Sequence, residues 1–175
     1  LHVAHIKALG PAVWGHSAKM IALIEQAQTS GQKITADQYP WRASGTRISN
    51  ALVPRWALDG GLHGLRKRLQ DKEQRVRIRE EMGQGLKRRG GAEALLFTGS
   101  LGQANVSTGI TLAEYADDKK LHPLDAAMEI LKTGDSRVAS FNMKPSDINA
   151  FASRDWVVTG SDGSTGHPRK YASFP

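Results

Sequence analysis

The chain opens on a short β-prone run, Leu1-His2-Val3-Ala4-His5-Ile6, followed by the Gly10-Pro11 punctuation, which predicts a strand ending in a functional loop. Apolar residues Met20, Ile21, Leu23, Ile24 and Ala27 then recur at helical spacing, so a helix is predicted over 17–28, stopped by Gly31. Lys33 to Tyr39 reads as a second strand that Pro40 terminates. Strand, helix and strand in this order make a β-α-β unit, normally two parallel strands joined by a right-handed crossover.

The rhythm breaks after Trp41. A Ser/Gly/Arg loop over 42–50 leads to Leu58-Asp59-Gly60-Gly61, and one charged helix is predicted from about Leu62, with Gly83 and Gly85 near its end. Ala94 to Thr98 has the composition of a strand, whereas Gly99 to Gly109 is turn-rich and poorly periodic. Long structureless loops are rare in compact domains, so this stretch is expected to be an insertion with its own small α+β structure. Thr111-Leu112-Ala113-Glu114 has capping-box spacing, Pro123 opens a helix to about Lys132, Val138–Phe141 reads as a short strand, and Pro145 starts a helix through Phe151. The apolar run from Asp155 to Gly160 is a buried-strand pattern that delivers Ser161-Asp162-Gly163 at its C-terminal end.

With 175 residues and 39% hydrophobic content the chain can build one real core, and no apolar run nears the ~20 residues that cross a bilayer. Neither an initiator Met nor a charged-then-apolar leader stands at Leu1, so the expectation is a start inside a longer chain. The absence of cysteine excludes a disulfide framework or a thiolate metal site within these residues, and points to a cytoplasmic location. A formal charge of +7 raises the question of nucleic acid. Much of the excess, however, lies in Arg66-Lys67-Arg68 and between Arg75 and Arg89, where Asp71, Glu73, Glu80 and Glu81 are interleaved as on a solvated helix, which argues against a phosphate-binding surface.

In a β/α barrel the active site lies at the C-terminal ends of the strands, and three predicted strand ends here carry polar residues. His5 and Lys7 are two apart, so an extended strand would put both on one face, a metal-binding imidazole beside an anion-holding cation. From spacing alone, a structural histidine and a solvent lysine are the plainer reading. Asp37 and Tyr39 likewise share a face, and the Tyr39 hydroxyl can donate to a substrate carbonyl or carboxylate, or simply cap the sheet. Asp162, between glycines after an apolar strand, suits a metal ligand that also moves a proton, although Asp-Gly after a strand is also a common turn. Arg169 offers a planar fork matched to a carboxylate, or is an ordinary loop arginine.

Together the segments His5-Ile6-Lys7-Ala8-Leu9-Gly10, Asp37-Gln38-Tyr39-Pro40-Trp41-Arg42-Ala43-Ser44-Gly45-Thr46, and Gly160-Ser161-Asp162-Gly163 with His167-Pro168-Arg169 and Phe174-Pro175 resemble, in the same order, the D-aminoacylase or N-acyl-D-amino-acid deacylase family of the amidohydrolase superfamily. Trp56-Ala57-Leu58-Asp59-Gly60-Gly61 adds to the resemblance. It implies an α/β fold, part of a metal-dependent (β/α)₈ TIM barrel (strands six to eight), with a small α+β segment inserted after the seventh strand. Residues 1–50 would be a barrel β-α-β segment, 51–110 an insertion covering the site, and 111–175 barrel helices and the final strand. The implied reaction is zinc-dependent hydrolysis of an N-acyl-D-amino acid to a carboxylate and a free D-amino acid. His5 and Asp162 would ligate Zn²⁺, with Asp162 also relaying the proton. Lys7, Tyr39 and Arg169 would contact substrate, and Ser44 and Thr46 are both candidates for a further substrate-binding residue.

The family's early His-x-His pair, its metal-ligating cysteine and the preceding strand's histidine have no counterparts here. One histidine and one aspartate are too few for the three or four protein ligands usual for zinc. The expectation is therefore that the full-length protein is the enzyme, that this piece alone is inactive, and that its partners are the substrate and the remainder of its own barrel. The alternatives are another amidohydrolase, dihydroorotase-like or isoaspartyl-dipeptidase-like, and a non-catalytic basic binding module.

Overall fold

The computed structural model describes residues 1–162; Arg169, expected to bind substrate, lies outside the described residues. The chain divides into two compact units, one formed by Leu1–Ala43 with the segment that begins at Asn142, the other by Ser44–Phe141.

The first unit is built on a three-stranded parallel sheet. Strand β1 (His2–Val3) and strand β2 (Thr35–Gln38) are joined through helix α1 (Ser17–Thr29), and His2 stands opposite Thr35 and Val3 opposite Ala36. Helix α7 (Pro145–Ala152) precedes strand β6 (Val157–Thr159), which lies along the other side of β2 with Asp37 opposite Val158, giving the order β1-β2-β6. The predicted β-α-β pairing is thus present and parallel. Ile21 of α1, Phe151 of α7, Ala36, Ile6 and Val157 close the core, with Met20 and Ile24 packed against it. Fully burying a side chain the size of Phe151 is worth roughly 1.5–3 kcal/mol. Because all three strands run the same way, their C-terminal ends emerge along one edge, bringing the segments after Val3, Gln38 and Thr159 side by side.

One expectation is corrected here. The opening run does not stay extended through Lys7: β1 stops at Val3, the chain turns at Ala4-His5, and His5 takes a left-handed backbone (φ 52°). Its position relative to Lys7 is therefore set by a turn rather than by strand alternation. Ile6 nevertheless points into packing, at 4% exposure.

The second unit is an α+β structure. Strand β3 (Ala43–Arg47) leads into helix α2 (Ile48–Leu52), then α3 (Gly61–Gln70), α4 (Lys72–Arg88), strand β4 (Leu95–Gly102), α5 (Leu112–Asp118), α6 (Pro123–Thr133) and strand β5 (Gly134–Phe141). The sheet order is β3-β5-β4, with β4 and β5 antiparallel from Leu95 opposite Ser140 to Gly102 opposite Gly134 and a bulge between Phe97 and Gly99. The single charged helix expected from Leu62 is two helices, because Asp71 is extended and its carboxylate accepts the Gln74 N–H at 2.8 Å, starting α4 afresh. The expected capping box is present: Glu114 N–H donates to Thr111 Oγ1 at 3.2 Å and Thr111 N–H to Glu114 Oε2 at 2.7 Å.

Several basic residues of this unit are engaged locally. Arg79 makes a two-pronged bond to Asp125 (3.0 Å each), Arg77 binds Glu81 at 3.0 Å while lying 4.4 Å over the Trp56 ring, and Arg66 donates to the Leu131 carbonyl at 3.1 Å. No helix among the described residues is long and apolar enough to cross a membrane.

Candidate metal and substrate site

His5, Lys7, Asp37, Tyr39, Trp41 and Asp162, at the C-terminal edge of the parallel sheet, belong to the first unit. After β1, Ile6 N–H donates to the Asp37 carbonyl at 2.8 Å; after β6, Gly160 N–H donates to the Gln38 carbonyl at 2.8 Å. These two bonds extend the pairing just past the strand ends and fix where His5 and Asp162 emerge. Trp41, beyond the end of β2, donates its indole N–H to the Ser161 carbonyl at 2.8 Å and so holds the segment that presents Asp162.

The result is that His5 Nε2 lies 3.6 Å from Asp162 Oδ1, with both side chains about half exposed. That distance is beyond a hydrogen bond. It is close to the separation of about 3.4 Å expected for two ligands each ~2.0–2.1 Å from one tetrahedral zinc ion. The backbone adds a second observation: of the three non-glycine residues described with positive φ, two are His5 and Asp162, each at 52°. Non-glycine residues rarely adopt this conformation, and such positions concentrate where function over-determines the chain. The pair therefore fits a shared divalent cation. It does not complete a site, since no group of three or more His, Cys, Asp or Glu among the described residues could hold a metal ion.

Asp37 stands beside the pair. Its Oδ1 accepts the His5 backbone N–H at 2.8 Å and lies 3.9 Å from His5 Nε2, while its Oδ2 pairs with His2 Nε2 at 2.8 Å. His2 Nδ1 in turn lies 2.8 Å from Thr35 Oγ1. An ionised carboxylate only accepts, so His2 Nε2 carries the proton in that bond, and in the neutral ring Nδ1 accepts from the Thr35 hydroxyl. The hydrogen bond from His2, then that from the His5 N–H, hold the Asp37 carboxyl below the usual carboxylate range.

Lys7 and Tyr39, the other residues singled out at these strand ends, lie beside His5. The Lys7 ammonium sits 4.8 Å above the Tyr39 ring, and the His5 and Tyr39 rings meet edge to face at 5.7 Å. Partial burial pushes the Lys7 ammonium pKa down, and the charges of Asp162 and Asp37 pull the other way. Ser44 and Thr46 belong to the second unit: Ser44 is buried and its Oγ accepts from Arg89 Nη1 at 3.4 Å, and Thr46 is half-buried. Asp37 is legible in the sequence as a face-mate of Tyr39 without a role, and His2 and Trp41 are not marked out there. The signal for the first two is the alternation of Thr35 and Asp37, which means something only once the register opposite His2 is known.

No family model matches the chain, and no curated protein matches it. Among solved structures, the fold is similar to that of amidohydrolases. One is N-acyl-D-glutamate deacylase from Bordetella bronchiseptica, complexed with zinc and a phosphonate mimic of the tetrahedral intermediate, at TM-score 0.58, 20% identity and 93% coverage of this chain. Two others are D-aminoacylases, one studied for its binuclear metal centre and one described as defining a novel subset of amidohydrolases, each at TM-score 0.59, 22% identity and 93% coverage. The chain spans 26% of the length of each of these. At this identity the likeness establishes a shared α/β fold.

Proposed function

We propose that the full-length protein carrying this chain is a zinc-dependent deacylase that hydrolyses the amide bond of N-acyl-D-amino acids. The observation that carries the reading is the 3.6 Å approach of His5 Nε2 to Asp162 Oδ1 from the ends of two parallel strands. The fold likeness to deacylases of this type supports it. In this reading the first unit, which includes the final strand, supplies strands six to eight of a (β/α)₈ barrel, and the expected insertion, 51–110, falls within the second unit, Ser44–Phe141.

His5 and Asp162 would hold the ion, with the remaining ligands supplied from outside this chain. Zinc, when bound, supplies Lewis acidity towards the amide carbonyl and a water acidified to near neutrality. Asp162 then takes up the proton released as water attacks and gives it to the leaving amine. Lys7 and Tyr39 bind the α-carboxylate of the substrate, the ammonium by charge and the phenol by donating a hydrogen bond. Arg169 and one of Ser44 or Thr46 are the further substrate contacts. The local bonding of Arg66, Arg77 and Arg79 favours this reading over a nucleic-acid surface. A cytoplasmic location belongs to the same proposal.

The test is a deacylase assay on the full-length protein with a chelator and with Zn²⁺ added back. Activity that is lost on chelation and restored by zinc is expected, with none from residues 1–175 alone. Turnover by the 175-residue piece, or chelator-insensitive activity, overturns it. Another amidohydrolase chemistry on this scaffold predicts an unchanged KM in Arg169→Ala, whereas the deacylase reading predicts a higher one.

A further inference from the structure

Resting on the assignment of His5 as a metal ligand, we infer that Asp37 is the positioning residue for His5 and that His2 is the strut that holds Asp37 in place. Two consecutive N–H groups beyond β1 end on this one residue: Ile6 N–H on its carbonyl, as parallel pairing dictates, and His5 N–H on its carboxylate, both at 2.8 Å. The side chain thereby takes over where the strand ladder stops. A left-handed turn is strained for a residue that carries a β-carbon, and it persists only when its surroundings impose it. The Asp37 carboxylate is the group that meets the N–H exposed by that turn.

The other carboxylate oxygen is fixed in the same way. His2 Nε2 lies on Oδ2 at 2.8 Å and Thr35 Oγ1 lies on His2 Nδ1 at 2.8 Å, so Thr35, His2 and Asp37 form a chain of bonds ending at the His5 backbone. With Asp37 Oδ1 3.9 Å from His5 Nε2, the carboxylate lies beyond hydrogen-bonding reach of the ring. It therefore acts by setting the His5 main chain, and through it the direction in which the imidazole faces Asp162. Partners that orient a ligating histidine typically contribute 10–100-fold in metal affinity or activity.

The experiment measures Co²⁺ binding to the full-length protein by its visible d–d absorption, with thermal midpoints recorded on the same samples. Asp37→Ala is expected to weaken Co²⁺ about 10–100-fold and to alter the spectrum of the ion that remains bound. Asp37→Asn, whose Oδ1 still accepts the His5 N–H, is expected to recover most of that affinity, and His2→Ala to lose a smaller part. If Asp37→Ala binds as tightly as the unaltered protein while His5→Ala does not, the positioning role is overturned and the metal reading survives. If Asp37→Asn is as weak as Asp37→Ala at an unchanged midpoint, Asp37 is a ligand in its own right, which also overturns it. An unaltered protein that binds no Co²⁺ sinks both. Should Asp37→Ala fail to fold, His2→Ala decides, and wild-type affinity there overturns the inference.

Discussion

The two units treat an aspartate in opposite ways. In the second, Asp135 is 2% exposed and its oxygens accept the Ser49 N–H (3.2 Å), the Ser49 hydroxyl (2.5 Å) and the Ser136 N–H (2.8 Å), tying α2 to β5. In the first, the Asp162 side chain is 48% exposed, sits on a left-handed backbone, and faces an imidazole at a distance too long for a hydrogen bond. The strands differ as well: β4 and β5 are eight residues each, whereas β1, β2 and β6 have two, four and three. A long antiparallel ladder with a sealed acid is built to persist. A short parallel one with exposed acids at its tips is built to present side chains.

Three substitutions would break or sharpen that contrast. The largest effect is expected at Asp162→Asn, which keeps shape but, on the proposed function, removes the proton carrier: deacylase turnover of the full-length protein should fall on the order of a thousandfold with little change in thermal midpoint. A comparable loss of stability there instead would place Asp162 with Asp135, as a structural acid. Next, Asp135→Ala leaves the Ser49 and Ser136 N–H groups buried without partners, so urea unfolding should show a loss of about 2–4 kcal/mol. A loss under ~0.5 kcal/mol would mean that water or a neighbour replaces the carboxylate.

The smallest effect concerns Asp147 at the start of α7, which accepts the Gly15 N–H at 2.8 Å and the Ser17 N–H at 3.3 Å. Burial pushes its carboxyl pKa up, but these hydrogen bonds outweigh it and leave the value below the ordinary 3.8. A depressed pKa means stability that is present above the unfolded-state value and is lost as pH falls through the folded-state value. Asp147→Asn should therefore flatten the acid limb of the stability profile below about pH 4 and matter less at the limb's foot than at neutrality. An unchanged acid limb counts against the clasp on Gly15 and Ser17.

How much of this was readable beforehand depended on whether the signal was local. Helix α1 from its apolar spacing, α6 and α7 from their leading prolines, the Thr111–Glu114 cap and the position of strand β6 were all legible, because each follows from residues within a turn or two of one another. The buried-strand pattern expected over Asp155 to Gly160 is corrected, since only Val157 of β6 is buried and Val158 is 63% exposed. The full lengths of β4 and β5 were not legible. The second half of β4, Gly99 to Gly102, and the first half of β5, Gly134 to Arg137, are poor strand formers that are extended because each supplies the other's hydrogen bonds. Gly134 is also required there, since a β-carbon would run into the Leu101 carbonyl and the Ala104 N–H. Strand β3 and helix α2 were hidden inside what reads as a Ser/Gly/Arg loop. At the candidate site, His5, Lys7, Tyr39 and Asp162 were singled out by strand-end position together with the family resemblance, and the structure brings them to one edge of the parallel sheet. The His2–Asp37 contact escaped because it depends on pairing register, a non-local quantity.

The matching φ of 52° at His5 and Asp162 also bears on how the protein could change over generations. Glycine tolerates that conformation without penalty, so at both positions the easiest substitution for the backbone is the one that discards the imidazole or the carboxylate. Selection for robustness alone would drift these two sites toward glycine and leave a steadier but silent scaffold, the familiar opposition between durability and activity.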